Sequence, residues 1–576
     1  VPVSLVMSKE DIIFLHAPSV YDFRKEFLFY GPVSDMVPST PVFEMYPFGF
    51  TSMASHLARN GYKVRLVNLA SMMLNDRKLD VEKLISKLKA KVFGIDLHWL
   101  PHAHGALEIA KLVKKHHPDA KVLFGGFSST YFQEELLRYP QVDLIMKGDS
   151  TEEPLRQLME ALKNGTPLEN VPNLSWKDEK GEHHNPITYV PDSLDYQDVD
   201  YGWIVRSVIR HLDLEGHKPF KDWDRYPITM VFSIKGCHLN CTVCGGSCPA
   251  MHKFLNRQKP AFRSPEKLAQ DVYNIQQYIK APTFIVGDPR RGGLDYMQRF
   301  FAEVKRLGVT NSLVFEFFTP PDEEFYKLAS THTKGFAVEI SPDSHDPEVR
   351  EALGRKYSNE ELETSIKNAL KYGAERFDVF FMIGLPKQTR ESAVKSAEYA
   401  KTLYLAADKD PRLCVFISPL APFLDPASLA FEDPERFGYV SLARTLEEHR
   451  ARLTSPSWKH VLSYETKWMT RDDIAEVSYE AADAINRARF ECGLIDKEEL
   501  DYRLKRSAEA ADMMKRVDAA MVITDPEEKR KAFQELQRRS EELMESTITH
   551  KREMEWSAKG LLWSVPRAAW AVLRGV

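Results

Sequence analysis

The chain has 576 residues, 43% of them hydrophobic and 28% charged, with a formal net charge of -5. These figures fit a soluble globular protein of about three domains and argue against nucleic acid as the main partner, which would show as a basic footprint. Six cysteines, four of them between residues 237 and 248, are clustered too tightly for a disulfide-stapled secreted domain. They point to metal in a reducing, cytoplasmic setting. The apolar run Val1 to Met7 is too short for a secretory signal, and no stretch of about 18 uncharged apolar residues occurs, so no membrane span is expected.

Residues 1–164 alternate apolar runs with helical patterns. Strands are predicted at 11–16, 63–68, 92–97, 121–126 and 143–147, and helices at 47–60, 81–89, 105–116 and 153–162. This alternation predicts an α/β, Rossmann-like domain, a parallel sheet with helices on both faces that binds ligands at the carboxyl ends of its strands. Residues 165–225, rich in Pro, Asn, Asp and Tyr and without a sustained period, read as a linker. Residues 226–439 return to alternation, with strands at 228–234, 283–286, 313–317, 335–340, 377–383 and 413–417 and helices such as 265–278 and 359–372. Six such units predict a partial (β/α)6 barrel. Residues 440–576 predict a charged, helical C-terminal domain. In its last segment, 556–576, Trp556, Trp563 and Trp570 recur every seven residues among Lys559, Arg567 and Arg574. Such a helix, kinked by Pro566, suits either peripheral contact with a membrane interface or packing on the protein body.

The strongest chemical signal is Gly236-Cys-His-Leu-Asn-Cys-Thr-Val-Cys-Gly-Gly-Ser-Cys248, directly after a predicted strand. Cys237, Cys241 and Cys244 have the spacing C-x3-C-x2-C. Thiolates hold iron–sulfur clusters, and three protein ligands on a four-iron cluster leave one iron open for a substrate. Zinc sites usually pair two separated C-x2-4-C units, a pattern absent here. Cys248 reads as a packed or free thiol near the cluster, and Cys414 and Cys492 as core residues.

At these residues the chain resembles the radical SAM superfamily, with Val243 where an aromatic is common. The resemblance implies a cluster whose open iron chelates S-adenosylmethionine (SAM) and cleaves it reductively to a 5'-deoxyadenosyl radical. It extends to Val286-Gly287-Asp288-Pro289 for the methionine amino group and to Glu339-Ile-Ser341-Pro-Asp343-Ser344 for ribose and amino acid. Arg350 and Arg355-Lys356 are candidates to pair with the SAM carboxylate, and Met382-Ile383-Gly384-Leu-Pro386 to contact adenine. Glu316 and Asp378 read either as substrate contacts or as satisfied barrel residues.

The first domain resembles the cobalamin-binding domain found in front of many radical SAM enzymes. The residues that carry this are Phe48 at a helix start, Gly125-Gly126-Phe-Ser128-Ser129 after the fourth strand and Gly148 after the fifth. Cobalamin proteins with a histidine cobalt ligand carry D-x-H-x-x-G. The matching place here reads Leu100-Pro-His102-Ala-His-Gly105, with Leu100 replacing the acid. His102 or His98 is therefore either a cobalt ligand or a loop histidine beside the pocket.

The resemblances imply cobalamin-dependent methylation of an unactivated carbon in a small-molecule or lipid substrate, with flavodoxin or ferredoxin as electron donor. Two other readings stay open: cobalamin-independent carbon–carbon or ring formation on a hydrophobic substrate, and a non-enzymatic protein that binds a cluster or cobalamin.

Overall fold

The structure, a computed structural model, describes residues 9–29, 31–34, 40, 42–197, 199–543, 548–549, 551–556 and 564–574. The chain opens with five parallel strands: β1 (Glu10–His16), β2 (Val64–Asn68), β3 (Ala90–Asp96), β4 (Lys121–Gly125) and β5 (Leu144–Met146). Their apolar runs are buried on both faces, as strands sandwiched between helices must be. Two further strands, β6 (Leu174–Asp178) and β7 (Gly181–His184), add antiparallel to β5. The order is β2-β1-β3-β4-β5-β6-β7. The chain leaves β1 to one side for β2 and to the other for β3, so a crevice opens at the carboxyl ends of β1 and β3.

The stretch 165–225 is therefore not a plain linker. It supplies the last two strands of the first sheet and the helix Tyr201–His211, whose start is capped by the Asp200 side chain. The short strands carry one deeply buried aromatic, Trp176, among polar residues, which is why no apolar period marks them.

The second sheet contains β8 (Thr229–Phe232), β11 (Thr283–Val286), β12 (Leu313–Phe317), β13 (Phe336–Asp343), β14 (Arg376–Ile383) and β15 (Leu413–Pro419). They run parallel in sequence order and form the expected partial barrel. A short pair, β9 (Ile234–Lys235) and β10 (Ala261–Phe262), brackets the cysteine loop. The helices between the strands are locally encoded. Pro265 occupies the first turn of its helix, and Ser358 and Glu361 close a capping box.

The C-terminal region begins with a small hairpin of β16 (Tyr439–Ser441) and β17 (Tyr464–Thr466). The long helix Arg471–Glu491 then lies along the barrel helix Arg390–Ala406 and β15, and Lys497–Met521 and Pro526–Leu543 stack outward from it. One contiguous apolar core runs from Ile13 to Ile548, so these helices extend the barrel's outer layer. Glu553 sits between Arg489 and Arg503, 2.8 Å from each, and the Arg376 guanidinium lies over Trp556. The helix Val565–Arg574 packs on Pro265–Tyr278 and Tyr201–His211 and leaves Trp570 exposed. Trp563 lies outside the described residues. No described helix is long and apolar enough to cross a membrane.

Candidate active site between two sheets

The carboxyl ends of the two sheets meet. Phe48, after β1, stacks obliquely on Phe232 at the end of β8, with ring centroids 5.3 Å apart. Trp99, after β3, meets Phe423, after β15, edge on at 5.5 Å. Gly148-Asp149, after β5, is clamped from the barrel side. Arg257 forms a buried two-pronged ion pair with Asp149, and Lys235 Nζ donates to the Asp149 carbonyl at 2.7 Å. Phe48 and Gly148 thus line the junction between the domains.

The cysteine loop lies at this junction. Gly236 turns the chain with φ +96°, and a Cβ there would meet Arg257 and Pro260 at about 3 Å. Thr242 N and Oγ1 donate to the carbonyls of Leu353 and Ala352, at 2.9 and 2.8 Å. Gly354, at φ +101°, lets the end of the helix Pro347–Leu353 press on the backbone of Asn240 and Cys241. Val243 packs on the apolar patch of Val349, Leu353 and Leu385. The thiols of Cys237, Cys241 and Cys244 share one electrostatic environment. Burial raises the pKa of Cys241 and Cys244, and the neighbouring cysteines raise them further. Leu239 N and Gly246 N donate to the sulfurs of Cys237 and Cys244, both at 3.3 Å, a set of backbone donors that suits thiolates once a metal has displaced their protons. Three thiols on one loop, near enough to perturb one another, fit a four-iron cluster with one open iron. Cys248 stands apart, its sulfur 3.5 Å from His252 Nε2 on the next turn of its own helix.

The residues expected at SAM divide into two groups. Asp343 and Arg355 form an ion pair with 2.8 Å between Asp343 Oδ2 and Arg355 Nε, close to Cys241. The pair is off-line, and neither Asp343 oxygen has an aligned hydrogen-bond donor among the described residues. Two buried acceptors without donors fit the hydroxyls of a ribose. Arg355 Nη1 donates to the Ser341 carbonyl at 2.8 Å, and the guanidinium lies 4.6 Å over the Phe318 ring. Gly287 (φ +85°) has no room for a Cβ beside Ile234, and Gly384 (φ +95°) turns the backbone under Tyr439 and Tyr464. Ile383, at the end of β14, is fully buried.

Four expectations need correction. Asp288 is engaged by Arg290 at 2.8 Å and caps its own turn, so its carboxylate is not free for a methionine amino group. Arg350 is buried on the carbonyls of Ser344 and Tyr357 and the side chain of Asn359, and Lys356 pairs with Glu351 at the surface. Glu339 lies mid-strand, in register with Glu316 and Asp378, inside the barrel and below its mouth. Burial and the neighbouring acids push Glu339 well above the usual carboxylate range. Burial also raises Glu316, and Asp378 stands at about 6 despite its bond to Arg376. Asp378 is thus a satisfied barrel residue. Ser128 and Ser129 are buried in the helix Phe127–Tyr131, and Ser129 Oγ donates to the Gly125 carbonyl at 3.1 Å, tying the loop together.

In the first domain a narrow apolar cleft of about 60 Å3, open at one side, lies at the strand ends between Phe14, Phe50, Asp96, Gly125, Gly126 and Met146. Gly94 leaves room for the Phe14 ring, which a Cβ would meet at 2.7 Å, and Gly126 (φ +111°) lets the loops after β3 and β4 touch. This cradle fits an extended, largely apolar ligand group. Beside it, Asp96 accepts from two histidines, His16 Nδ1 at 2.9 Å and His98 Nδ1 at 2.7 Å. These bonds hold its carboxyl far below the usual range despite burial. His102 lies behind them, 1% exposed, its Nδ1 facing the Ala17 carbonyl at 3.3 Å. His102 is therefore a core residue, and the histidine at the crevice is His98. In the sequence the Asp96 and His98 pair reads Asp96-Leu-His98, four residues before Leu100.

Comparison with known proteins agrees with both halves. Residues 36–156 match the B12 binding domain, and residues 231–400 match the radical SAM superfamily. An uncharacterised methyltransferase of Pyrococcus horikoshii is 23% identical over 362 residues, covering 62% of this chain and 73% of the relative. The anaerobic magnesium-protoporphyrin IX monomethyl ester cyclase of Synechocystis is 25% identical over 251 residues, 43% of this chain and 46% of that protein. Among solved structures, the radical SAM methyltransferase TsrM of Kitasatospora setae, with cobalamin and a four-iron four-sulfur cluster bound, superposes with a TM-score of 0.57 at 13% identity, covering 94% of this chain and 100% of that one. The cobalamin-dependent radical enzyme OxsB, with aqua-cobalamin and SAM bound, gives a TM-score of 0.51 at 12% identity, covering 99% and 80%. At such identities the likeness concerns the fold. The chain belongs to the radical SAM superfamily and carries a B12-binding domain in front of its radical SAM domain.

Proposed function

We propose that the protein is a cobalamin-dependent radical SAM methyltransferase acting on an unactivated carbon. The observation that carries this reading is the junction itself. The cysteine loop and the apolar cleft face one another across Arg257, Lys235 and Asp149, so a substrate held between the sheets reaches both cofactors. When bound, the cluster supplies the electron that splits SAM into a 5'-deoxyadenosyl radical, and cobalamin supplies a methyl carrier. The chain's own residues bind and orient. Cys237, Cys241 and Cys244 hold the cluster, Asp343 and Arg355 position SAM beside it, and Phe48, Trp99, Phe232 and Phe423 keep water from the junction. The name of the Pyrococcus relative and the superposition on TsrM support methyl transfer. The substrate is proposed as a small or hydrophobic molecule, and the reductant as a flavodoxin or ferredoxin.

The test is anaerobic reconstitution with iron, sulfide and hydroxocobalamin, followed by turnover with methyl-labelled SAM and a strong reductant. Formation of both 5'-deoxyadenosine and S-adenosylhomocysteine, the latter only with cobalamin present, is expected. 5'-Deoxyadenosine alone, unchanged by cobalamin, would overturn methyl transfer. It would favour bond- or ring-forming chemistry, a class to which the Synechocystis cyclase belongs by name. No SAM cleavage by a protein with a full, reduced cluster would leave only a binding role.

A further inference from the structure

We propose that the helix Val565–Arg574 and the end of the helix Tyr201–His211 form a docking surface for an anionic lipid bilayer, on which the protein lies peripherally. This does not depend on the cofactor reading of the junction.

The last helix turns its apolar side the wrong way for a helix that faces only water. Its inner side, with Ala568 and Ala571, packs on the protein body. Ser564 Oγ, just before it, accepts from Lys280 N at 3.3 Å, and Arg567 Nη1 donates to the Gln276 carbonyl at 2.9 Å. A surface helix normally presents polar residues on the opposite side. Here that side carries Val565, Pro566, Ala569 and Trp570, all exposed. Pro566 sits in the first turn, so it starts the helix and does not kink it. The neighbouring helix continues the pattern. Tyr201–His211 packs against Val565–Arg574, exposes Ile209 near its end, and is followed by exposed Leu212 and Leu214. Leu212 is 79% and Trp570 57% exposed. Of the thirteen large apolar side chains exposed among the described residues, five belong to these two adjoining elements. Such clustering marks an interaction surface.

The charges select the occupant. The acids at the first helix and its following turn are paired: Asp200 with Arg206, Asp213 with Arg65 and Glu215 with Lys218. The last helix contains no acid. Arg210, Arg567 and Arg574 have no carboxylate partner among the described residues. The whole chain carries -5, so attraction to an anionic surface has to come from a local patch such as this one. Arg567, Trp570 and Arg574 follow one another along one stripe of the helix, and the Arg574 guanidinium lies 4.6 Å over the Trp570 ring. A tryptophan between arginines suits the headgroup level of a bilayer, where the ring meets the acyl boundary and the guanidiniums reach the phosphates. At ten residues the helix is too short to span, so it lies in the interface plane. A second copy of the chain is the competing occupant. Against it, a symmetric contact through this patch would set the same unpaired arginines face to face.

The experiment is co-sedimentation of the whole chain with vesicles of phosphatidylcholine alone and of equal parts phosphatidylcholine and phosphatidylglycerol. Binding to the mixed vesicles is expected, with little to phosphatidylcholine alone, and about 1 M salt should release most of it by screening. Trp570→Ala combined with Leu212→Ala is expected to weaken binding by about tenfold. Arg210→Gln combined with Arg574→Gln should remove the preference for the anionic vesicles by about tenfold as well. Tyr502→Ala, which removes an equally exposed ring from another helix, should change nothing. The arginine pair is exposed and unpacked, so it tests the location even if the apolar pair fails to fold. No binding to either vesicle, equal binding to both, or equal losses in Tyr502→Ala and the patch variants would each overturn the proposal. A lipid-free dimer in ultracentrifugation that Trp570→Ala dissociates would overturn it in favour of self-association.

Discussion

Asp343 shows how one buried acid can change sign between the free and the loaded protein. Burial pushes its carboxyl up to about 6, although the Arg355 guanidinium beside it pulls the other way. A folded value above the unfolded one of about 3.9 means that the acid favours folding at low pH, and that this contribution is lost as pH rises through about 6. SAM binding has the opposite dependence, because ribose hydroxyls donate best to the ionised carboxylate. Free protein is therefore expected to melt lower at pH 7 than at pH 5, while SAM affinity, read by isothermal titration, rises over the same interval. Asp343→Asn should flatten both profiles and weaken SAM by about tenfold, the size of a charged hydrogen bond. An affinity that keeps its pH dependence in Asp343→Asn would place the titrating group elsewhere. The cysteines give a sharper test. Ala at any one of Cys237, Cys241 or Cys244 is expected to abolish SAM cleavage, whereas Cys248→Ala should retain about four irons per chain, because its thiol meets His252 on its own helix. Iron analysis and 5'-deoxyadenosine formation decide this.

At the scale of elements, Gly126 couples the loops after β3 and β4. Its φ of +111° and its contact with the His98 backbone leave no place for a side chain. Gly126→Ala is expected to cost about 1–3 kcal/mol of stability and most of the cobalamin affinity, whereas Gly125→Ala, with no contact shorter than 3.8 Å, should cost less of both. Equal losses in the two variants, measured by chemical denaturation and cobalamin titration, would refute the role given to this contact. Much at this scale was legible in the sequence. All eleven parallel strands among the described residues lie on the short, mostly apolar segments that the sequence marks as strands. The cysteine spacing located the cluster because its chemistry depends on local separation alone. β6 and β7 escaped because a short edge pair, half polar and with one buried tryptophan, carries no period. The choice between His98 and His102 also escaped. It depends on His16, which is about eighty residues away in sequence and occupies the Asp96 oxygen that would otherwise leave the rings equivalent. Asp288 and Arg350 misled for a related reason. Asp288 stands just after β11 and Arg350 in the helix after β13, each with the right charge, and only the fold shows a nearer partner.

For the whole molecule, the decisive contact is the one that binds the two sheets together. Arg257 is buried beside the cysteine loop and Asp149 follows β5 of the first domain, and their two-pronged pair is a charged link across the junction, next to the pair Lys235–Glu152. Desolvating both ions is costly, so the pair adds little net stability, but removing one partner strands the other in a dry interior at about 3–5 kcal/mol. Arg257→Ala is therefore expected to lower the melting temperature and to separate the unfolding of the two domains in calorimetry. Arg257→Met combined with Asp149→Leu removes both charges and should recover most of that stability. It will not recover function to the same degree, because a pair of apolar side chains lacks the directional hold that keeps Gly148 and the cysteine loop in register. The two variants thus separate cohesion from alignment. If the double variant regains both stability and cobalamin-dependent S-adenosylhomocysteine formation, the ion pair acts only as glue. If it regains stability and makes 5'-deoxyadenosine without S-adenosylhomocysteine, the pair sets the distance between the two cofactors.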